Sequence, residues 1–242
     1  MHPKYLPVFK DISFNPEHIE DYVPMQPLHP GIFDYFCEDG WCYWSDLLFR
    51  RNYWEWRGSP CRVIILRNNL REFQFSKSQR RCIRNNSDLV VLRRPLRITE
   101  AHEELFMRHA QRFSHNRPAS MYGFFSSWSH LMPSVGGMLE VYKQDKLIAV
   151  SYFHVGLRSV AGNYCIFEPE EYKRSLGTFT MLLELKMAKQ HPSWEYYYPG
   201  FVYDVPSEFD YKLNFNGLEY FDWWGNWYPI ERLPVRDWRM DL

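Results

Sequence analysis

Two short segments hold residues whose types and spacing suit the handling of a phosphate-bearing partner. The first, Arg174-Ser-Leu-Gly-Thr-Phe, opens a helix directly after a strand signal and the acidic turn Glu168-Pro-Glu-Glu. A helix start carries unsatisfied N–H groups and the positive end of the helix dipole, and a glycine there lets the backbone approach a ligand closely. Arg174, Ser175, Gly177 and Thr178 are therefore expected to form an anion site. The second, Phe75-Ser-Lys-Ser-Gln-Arg-Arg-Cys-Ile-Arg-Asn-Asn, places Arg80, Arg81 and Arg84 on a helix that Ser76 or Ser78 can cap. Arginines at those spacings give a cationic stripe, and the guanidinium fork matches phosphate oxygens two at a time.

The charge distribution supports the same chemistry. The net charge is zero, yet between Arg50 and Arg97 there are thirteen Lys and Arg against three acids, Glu55, Glu72 and Asp88. Residues 1 to 49 and 204 to 242 are correspondingly acidic. Such asymmetry predicts a basic face able to follow a nucleic-acid backbone; a solvated, salt-bridged surface is the plainer alternative.

The elements that must position these residues read as an α+β chain. Residues 1 to 31, with six prolines, are expected to form an extended arm. Gly31 to Asn52 reads as a short helix leading into a strand, and Cys61 to Leu70 as a buried strand. Thr99 caps a helix with acids in its first turn and bases near its end. After a loop with Asn116, Arg117 and Pro118, a Phe- and Trp-rich helical segment is expected to about Leu131. Met138 to Val155 alternates as two strands around Gln144-Asp145-Lys146, a hairpin. Val160 to Phe167 is then a strand, Leu176 to Gln190 a helix and Trp194 to Tyr198 a strand, followed by loop and aromatic segments.

At 242 residues the chain can bury one sizeable core or two small units sharing an interface. With 18 Phe, 17 Tyr and 10 Trp, large rigid rings should line that core and any pocket. Cys37, Cys42, Cys61, Cys82 and Cys165 are odd in number and include no C-x-x-C pair, and no signal-peptide pattern opens the chain. A reducing cytoplasm is the expected compartment. No apolar run approaches the roughly 20 residues needed to span a bilayer.

Three segments taken together resemble the aminoacyl-tRNA–protein transferases, which include the eukaryotic arginyl-tRNA–protein transferases and the bacterial aspartate/glutamate leucyltransferases. They are the Ser-Lys-Ser-Gln-Arg-Arg run, with Asn86 seven residues after Gln79, the Arg174-Ser-Leu-Gly-Thr turn, and Tyr198-Pro-Gly-Phe, with Tyr211 and Lys212 at the family's interval after Gly200. The resemblance spans about residues 36 to 221. It implies an acetyltransferase-like (GNAT-type) mixed sheet over residues 98 to 242, preceded by a smaller α/β portion over residues 1 to 97. It also implies transfer of an amino acid from aminoacyl-tRNA to an acceptor amine of a peptide, protein or small molecule.

For that reaction the resemblance puts Tyr211 and Lys212 in the catalytic set, with Glu219 or Asp204 as proton acceptor. It assigns Gln79, Arg80, Arg81, Arg84 and the Arg174 turn to tRNA phosphate. Trp41, Tyr43, Tyr203 and Glu208 would line the acceptor pocket. His154 is a further possible base, although a lone strand histidine is more often a core residue. The paired-cysteine segment associated with iron–sulfur or haem binding in better-known members is absent, so no cofactor is expected beyond aminoacyl-tRNA as co-substrate. Where the family has cations, this chain has Gly40-Trp-Cys-Tyr-Trp-Ser and Glu208-Phe-Asp-Tyr-Lys. The selection of acidic acceptors is therefore expected to change. An acyl-coenzyme A N-acyltransferase and a catalytically silent tRNA- or degron-binding module remain the competing readings.

Overall fold

The computed structural model describes residues 17–113, 119–126 and 128–233. The first sixteen residues of the expected arm and the loop at Asn116, Arg117 and Pro118 lie outside the described residues.

In chain order the elements are β1 (Glu20–Pro24), α1 (Pro30–Glu38), β2 (Cys42–Trp44), β3 (Leu47–Arg51), β4 (Tyr53–Trp56), β5 (Ser59–Asn69), α2 (Lys77–Asn85), β6 (Val90–Pro95) and α3 (Glu100–Ala110). They continue with β7 (Val135–Lys143), β8 (Lys146–Val155), β9 (Ser159–Phe167), α4 (Leu176–Gln190), β10 (Tyr196–Tyr203), β11 (Leu218–Phe221) and β12 (Trp227–Pro229). Short 3-10 turns precede α4 at Pro169–Arg174 and follow β10 at Asp210–Asn214.

A small sheet runs β1-β3-β2, and a large mixed sheet runs β12-β11-β5-β10-β9-β8-β7-β6, with β4 paired to β5. Among the described residues its one parallel strand pair is β9 with β10, joined by α4. Strand β5, from the first portion of the chain, lies between β11 and β10, so residues before and after 97 share one sheet.

Strands β5, β7 and β8 of this sheet are largely buried on both faces, which is why they read as apolar runs. Along β8, Val150 and Tyr152 pack with Leu105 and Phe106 of α3, while Ser151 reaches Glu184 of α4. Alternation thus puts the two helices on opposite faces, and β5, β10 and β11 extend the α4 side through Ile64, Leu66, Val202 and Tyr220. Among the described residues no helix is long and apolar enough to cross a membrane.

Several elements depart from the sequence reading. Strand β10 does not stop at Tyr198: Gly200 takes φ +87 and carries the strand through a bulge to Tyr203, a conformation that glycine adopts without the penalty a Cβ brings. Among its described residues, the aromatic segment before Leu131 holds the turn Met121–Gly123 and no longer helix. Phe124 and Phe125 insert into the core beside Phe106 and Tyr152, so tertiary packing rather than helical periodicity places these rings. Part of the expected arm, Glu20 to Pro24, is strand β1.

Candidate functional site

The site begins where two strands part. Strands β9 and β10 pair only from Tyr196↔Ser159 to Tyr198↔Ala161. Beyond that point β9 keeps its partner β8 as far as Phe167, and β10 keeps β5 as far as Val63. Two cavities open in the gap, of about 520 Å³ and about 470 Å³, and both are lined by Gly162, Pro199, Glu208, Phe209 and Lys212.

The larger cavity is an aromatic cleft walled by Trp41, Tyr43, Trp44, Phe49, Trp56 and Phe201. Its charges are few: Arg51, which stacks 3.4 Å from the Trp54 ring, with Lys212 and Glu208. The second cavity is lined by Ser175, Gly177 and Thr178 at the start of α4, together with Arg112, Glu184 and Tyr211.

Lys212 stands at the junction. The Asp210–Asn214 turn that carries it is fixed by Ser207, whose N–H and Oγ both donate to Asp210. Its Nζ donates to the Phe201 carbonyl at 3.0 Å and lies 5.0 Å from the Phe209 ring. Burial disfavours the ammonium and brings its pKa down to about 8, against a smaller raising influence of Cys42. Gly200 borders this spot, and its φ of +87 is what calls for glycine there, since a Cβ would meet Lys212 Nζ at an ordinary 3.6 Å.

The expected phosphate residues divide. Ser175, Gly177 and Thr178 face the second cavity, as an anion site at the helix start requires. The Arg174 guanidinium is instead held by Asp88 through two 2.9 Å bonds and by Glu171 at 2.9 Å. Asn86 Nδ2 donates to the Arg174 carbonyl at 3.0 Å, so the Ser-Gln-Arg-Arg segment and the Arg174 turn are one bonded unit. Gln79 is buried in a capping box with Ser76 and donates to the Asn214 carbonyl, tying α2 to the turn that bears Lys212. Arg80, Arg81 and Arg84 are exposed on α2.

Of the residues expected in catalysis, Tyr211 and Lys212 share the second cavity, whereas Asp204 and Glu219 line neither cavity. Glu219 bonds Arg67 at 2.6 Å, and Asp204 accepts from the Arg62 N–H at 2.8 Å. His154 is fully buried. Its Nε2–H donates to the Ser129 carbonyl at 2.8 Å and its Nδ1 lies 3.1 Å from the Tyr43 hydroxyl, with burial pushing its pKa down to about 4. Trp41, Tyr43 and Glu208 line the aromatic cleft; Tyr203 packs behind it on Trp56.

Two residues of the site have no place in the sequence reading. Arg112, just past the end of α3, adds a cation to the lining of the second cavity, with its guanidinium 4.5 Å from the Phe167 ring. Glu184 is a fully buried carboxyl on α4 whose pKa burial raises to about 8. Its signal in the sequence is a charged residue in the row Leu176, Thr180, Glu184, Ala188, otherwise a buried helix face. The described residues contain no group of His, Cys, Asp and Glu arranged to hold a metal ion.

In sequence the chain is similar to the aspartate/glutamate leucyltransferase of Shewanella sp. (strain ANA-3), with 32% identity over 161 residues covering 64% of this chain and 65% of that protein. It is also similar to the aspartate/glutamate leucyltransferase of Hahella chejuensis (strain KCTC 2396), with 27% identity over 183 residues covering 72% of this chain and 77% of that protein. The chain thus spans just under two thirds of the Shewanella protein's length. Among solved structures it is similar to L-PGS from Bacillus licheniformis, with a TM-score of 0.43 and 6% identity over 70% of this chain and 49% of that one. The family profile for the arginine-tRNA-protein transferase C terminus matches residues 101–222, half of the chain, which therefore belongs to the arginine-tRNA-protein transferase family.

Proposed function

We propose that this protein moves an amino acid from aminoacyl-tRNA to an acceptor amine, with the charged 3′ end lying in the two cavities that meet at Lys212. The observation that carries this reading is that junction: an aromatic cleft and a cavity headed by a helix start open onto one buried lysine. In this reading the α4 amides and Arg112 hold the terminal phosphate. The rings of the cleft accept an apolar aminoacyl side chain, in keeping with relatives named leucyltransferases. The parallel pair β9 and β10, parting beside the α4 start, is read as an acetyltransferase-like architecture. The exposed arginines of α2 extend a cationic path for the anionic body of the tRNA.

The aminoacyl ester is already activated, so the protein has to position two ends, remove a proton and steady an oxyanion. Lys212 is assigned the last of these tasks. No cofactor is required, and the donor places the reaction in the compartment of translation. Incubation with a pool of radiolabelled aminoacyl-tRNAs and candidate acceptors tests the reading, since transfer turns a base-labile ester into a base-stable amide. Label that stays base-labile with every charged tRNA, together with turnover of an acyl-coenzyme A, would replace it with the acyl-coenzyme A reading.

A further inference from the structure

Glu184 is a buried carboxyl to which the reading above gives no task. Helix α4 sets it in a buried row, 3% exposed, where a charge is costly unless compensated. Its Oε2 accepts from the Tyr197 hydroxyl at 2.7 Å, and Ser151 Oγ donates to Oε1. The titratable groups around it are neutral near pH 7: Cys165 from β9, Tyr197 from β10, Tyr43 from β2 and Tyr211 from the turn. Lys212 shares the second cavity but bonds the Phe201 carbonyl.

Gly162 makes room for this pair. A Cβ at that position would come within 2.5 Å of the Tyr197 hydroxyl oxygen and 2.9 Å of Glu184 Oε2. Gly162 lines both cavities and Glu184 lines the second, so the carboxyl–phenol pair sits against the wall of the junction. Burial brings the carboxyl to about 8, and the Tyr197 bond, which favours the carboxylate, opposes a further rise. A proton acceptor working near neutral pH is tuned in this way.

We propose that Glu184 takes the proton from the attacking amine and returns it to the departing ribose oxygen, with Tyr197 orienting it; this rests on the aminoacyl-transfer reading. The amine lone pair attacks the ester carbonyl carbon and a C–N bond forms, while one amine proton passes to the Glu184 carboxylate. Collapse of the tetrahedral intermediate breaks the bond to the ribose oxygen, which takes that proton back. The products are an amide and a free hydroxyl, and the carboxylate is regenerated.

The test is Glu184→Gln and Tyr197→Phe in the full chain, with charged tRNA and a peptide acceptor. The folded-state pKa of Glu184 lies above its ordinary value of 4.5, so its stabilising contribution is complete below pH 4.5 and is lost as pH rises through about 8. Glutamine cannot ionise, and its oxygen can accept from the Tyr197 hydroxyl while its amide N–H donates to Ser151 Oγ with the serine hydroxyl rotated, so Glu184→Gln is expected to melt no lower than wild type at pH 7 to 8. A structural role predicts unchanged turnover in that variant. A proton-transfer role predicts a kcat lower by about 100-fold or more, with KM for both substrates retained. Tyr197→Phe removes the donor that favours the carboxylate and should move the rising limb of the kcat profile to higher pH; a rising limb owned by the acceptor amine would stay. Unchanged turnover in Glu184→Gln, or an unmoved limb in Tyr197→Phe, overturns the proposal while wild-type transfer persists. A wild type that transfers from no charged tRNA overturns the functional reading and the proposal with it.

Discussion

At the scale of single residues, Lys212 shows how a fold can make one side chain conditional on pH. A surface lysine would keep its charge to about pH 10.4. Here the ammonium has one carbonyl and two ring faces for partners, and burial brings its pKa to about 8. If its charge steadies the oxyanion, the rate must fall as pH rises through that value, because the cation is then lost. Lys212→Arg, which stays charged above pH 12, is expected to remove the alkaline fall. Lys212→Met is expected to lower kcat at every pH by about 100-fold, the scale of losing one oxyanion donor. Steady-state rates from pH 6 to 10 decide this, and a Met variant with wild-type kcat would end the assignment. The Tyr-Lys pair that marks Lys212 is visible in the sequence, because it is local. Glu184 is visible only as a charge on a buried helix face, and its partners Ser151 and Tyr197 come from strands 33 and 13 residues away.

At the scale of elements, the helices and the hairpin were legible because their signals lie within a few residues: Ser76 with Gln79 for α2, and the turn at Gln144 for β7 and β8. Strand β6 has no place in the sequence reading, since its Arg93-Arg94-Pro95 end lacks apolar alternation and pairing with β7 at the sheet edge makes it a strand. Counting charges along the chain likewise overstated the basic face. Arg50, Arg57, Arg67, Arg71 and Arg94 are engaged with acids that lie elsewhere in sequence or on neighbouring strands. Helix α2 still presents Arg81 and Arg84 to a nucleic acid, both exposed. Replacing both by Ala should lower the slope of log binding constant against log salt by about 1.4 to 1.8, or about 0.7 to 0.9 per phosphate contact. Filter binding of charged tRNA between 50 and 200 mM salt measures it, with the melting temperature as control. An unchanged slope in a folded variant would move the tRNA away from this helix.

At the scale of the whole molecule, the two cavities collect charge from parts of the chain that sequence order keeps apart: Arg51 from β3, Glu208 after β10, and Lys212 from the following turn. Glu208 is the acid that faces both cavities, and its partner Arg57 is 3.7 Å away, with both side chains largely exposed. Such an exposed pair is weak and leaves most of the negative field in place. An acceptor carboxylate about 4 Å from Glu208 would meet a repulsion of roughly 1 to 4 kcal/mol. Arg51, which lines the same cleft with its guanidinium already stacked on Trp54, offsets part of this. Matched peptides that differ only in the first residue are therefore expected to rank neutral above Asp or Glu in kcat/KM. Glu208→Gln should narrow that gap and Glu208→Lys should reverse it, while Arg51→Ala should widen it. A wild-type preference for Asp or Glu, undiminished in Arg51→Ala, would show that acceptor charge is read outside these cavities and would restore for this chain the acceptor choice that its relatives' names describe.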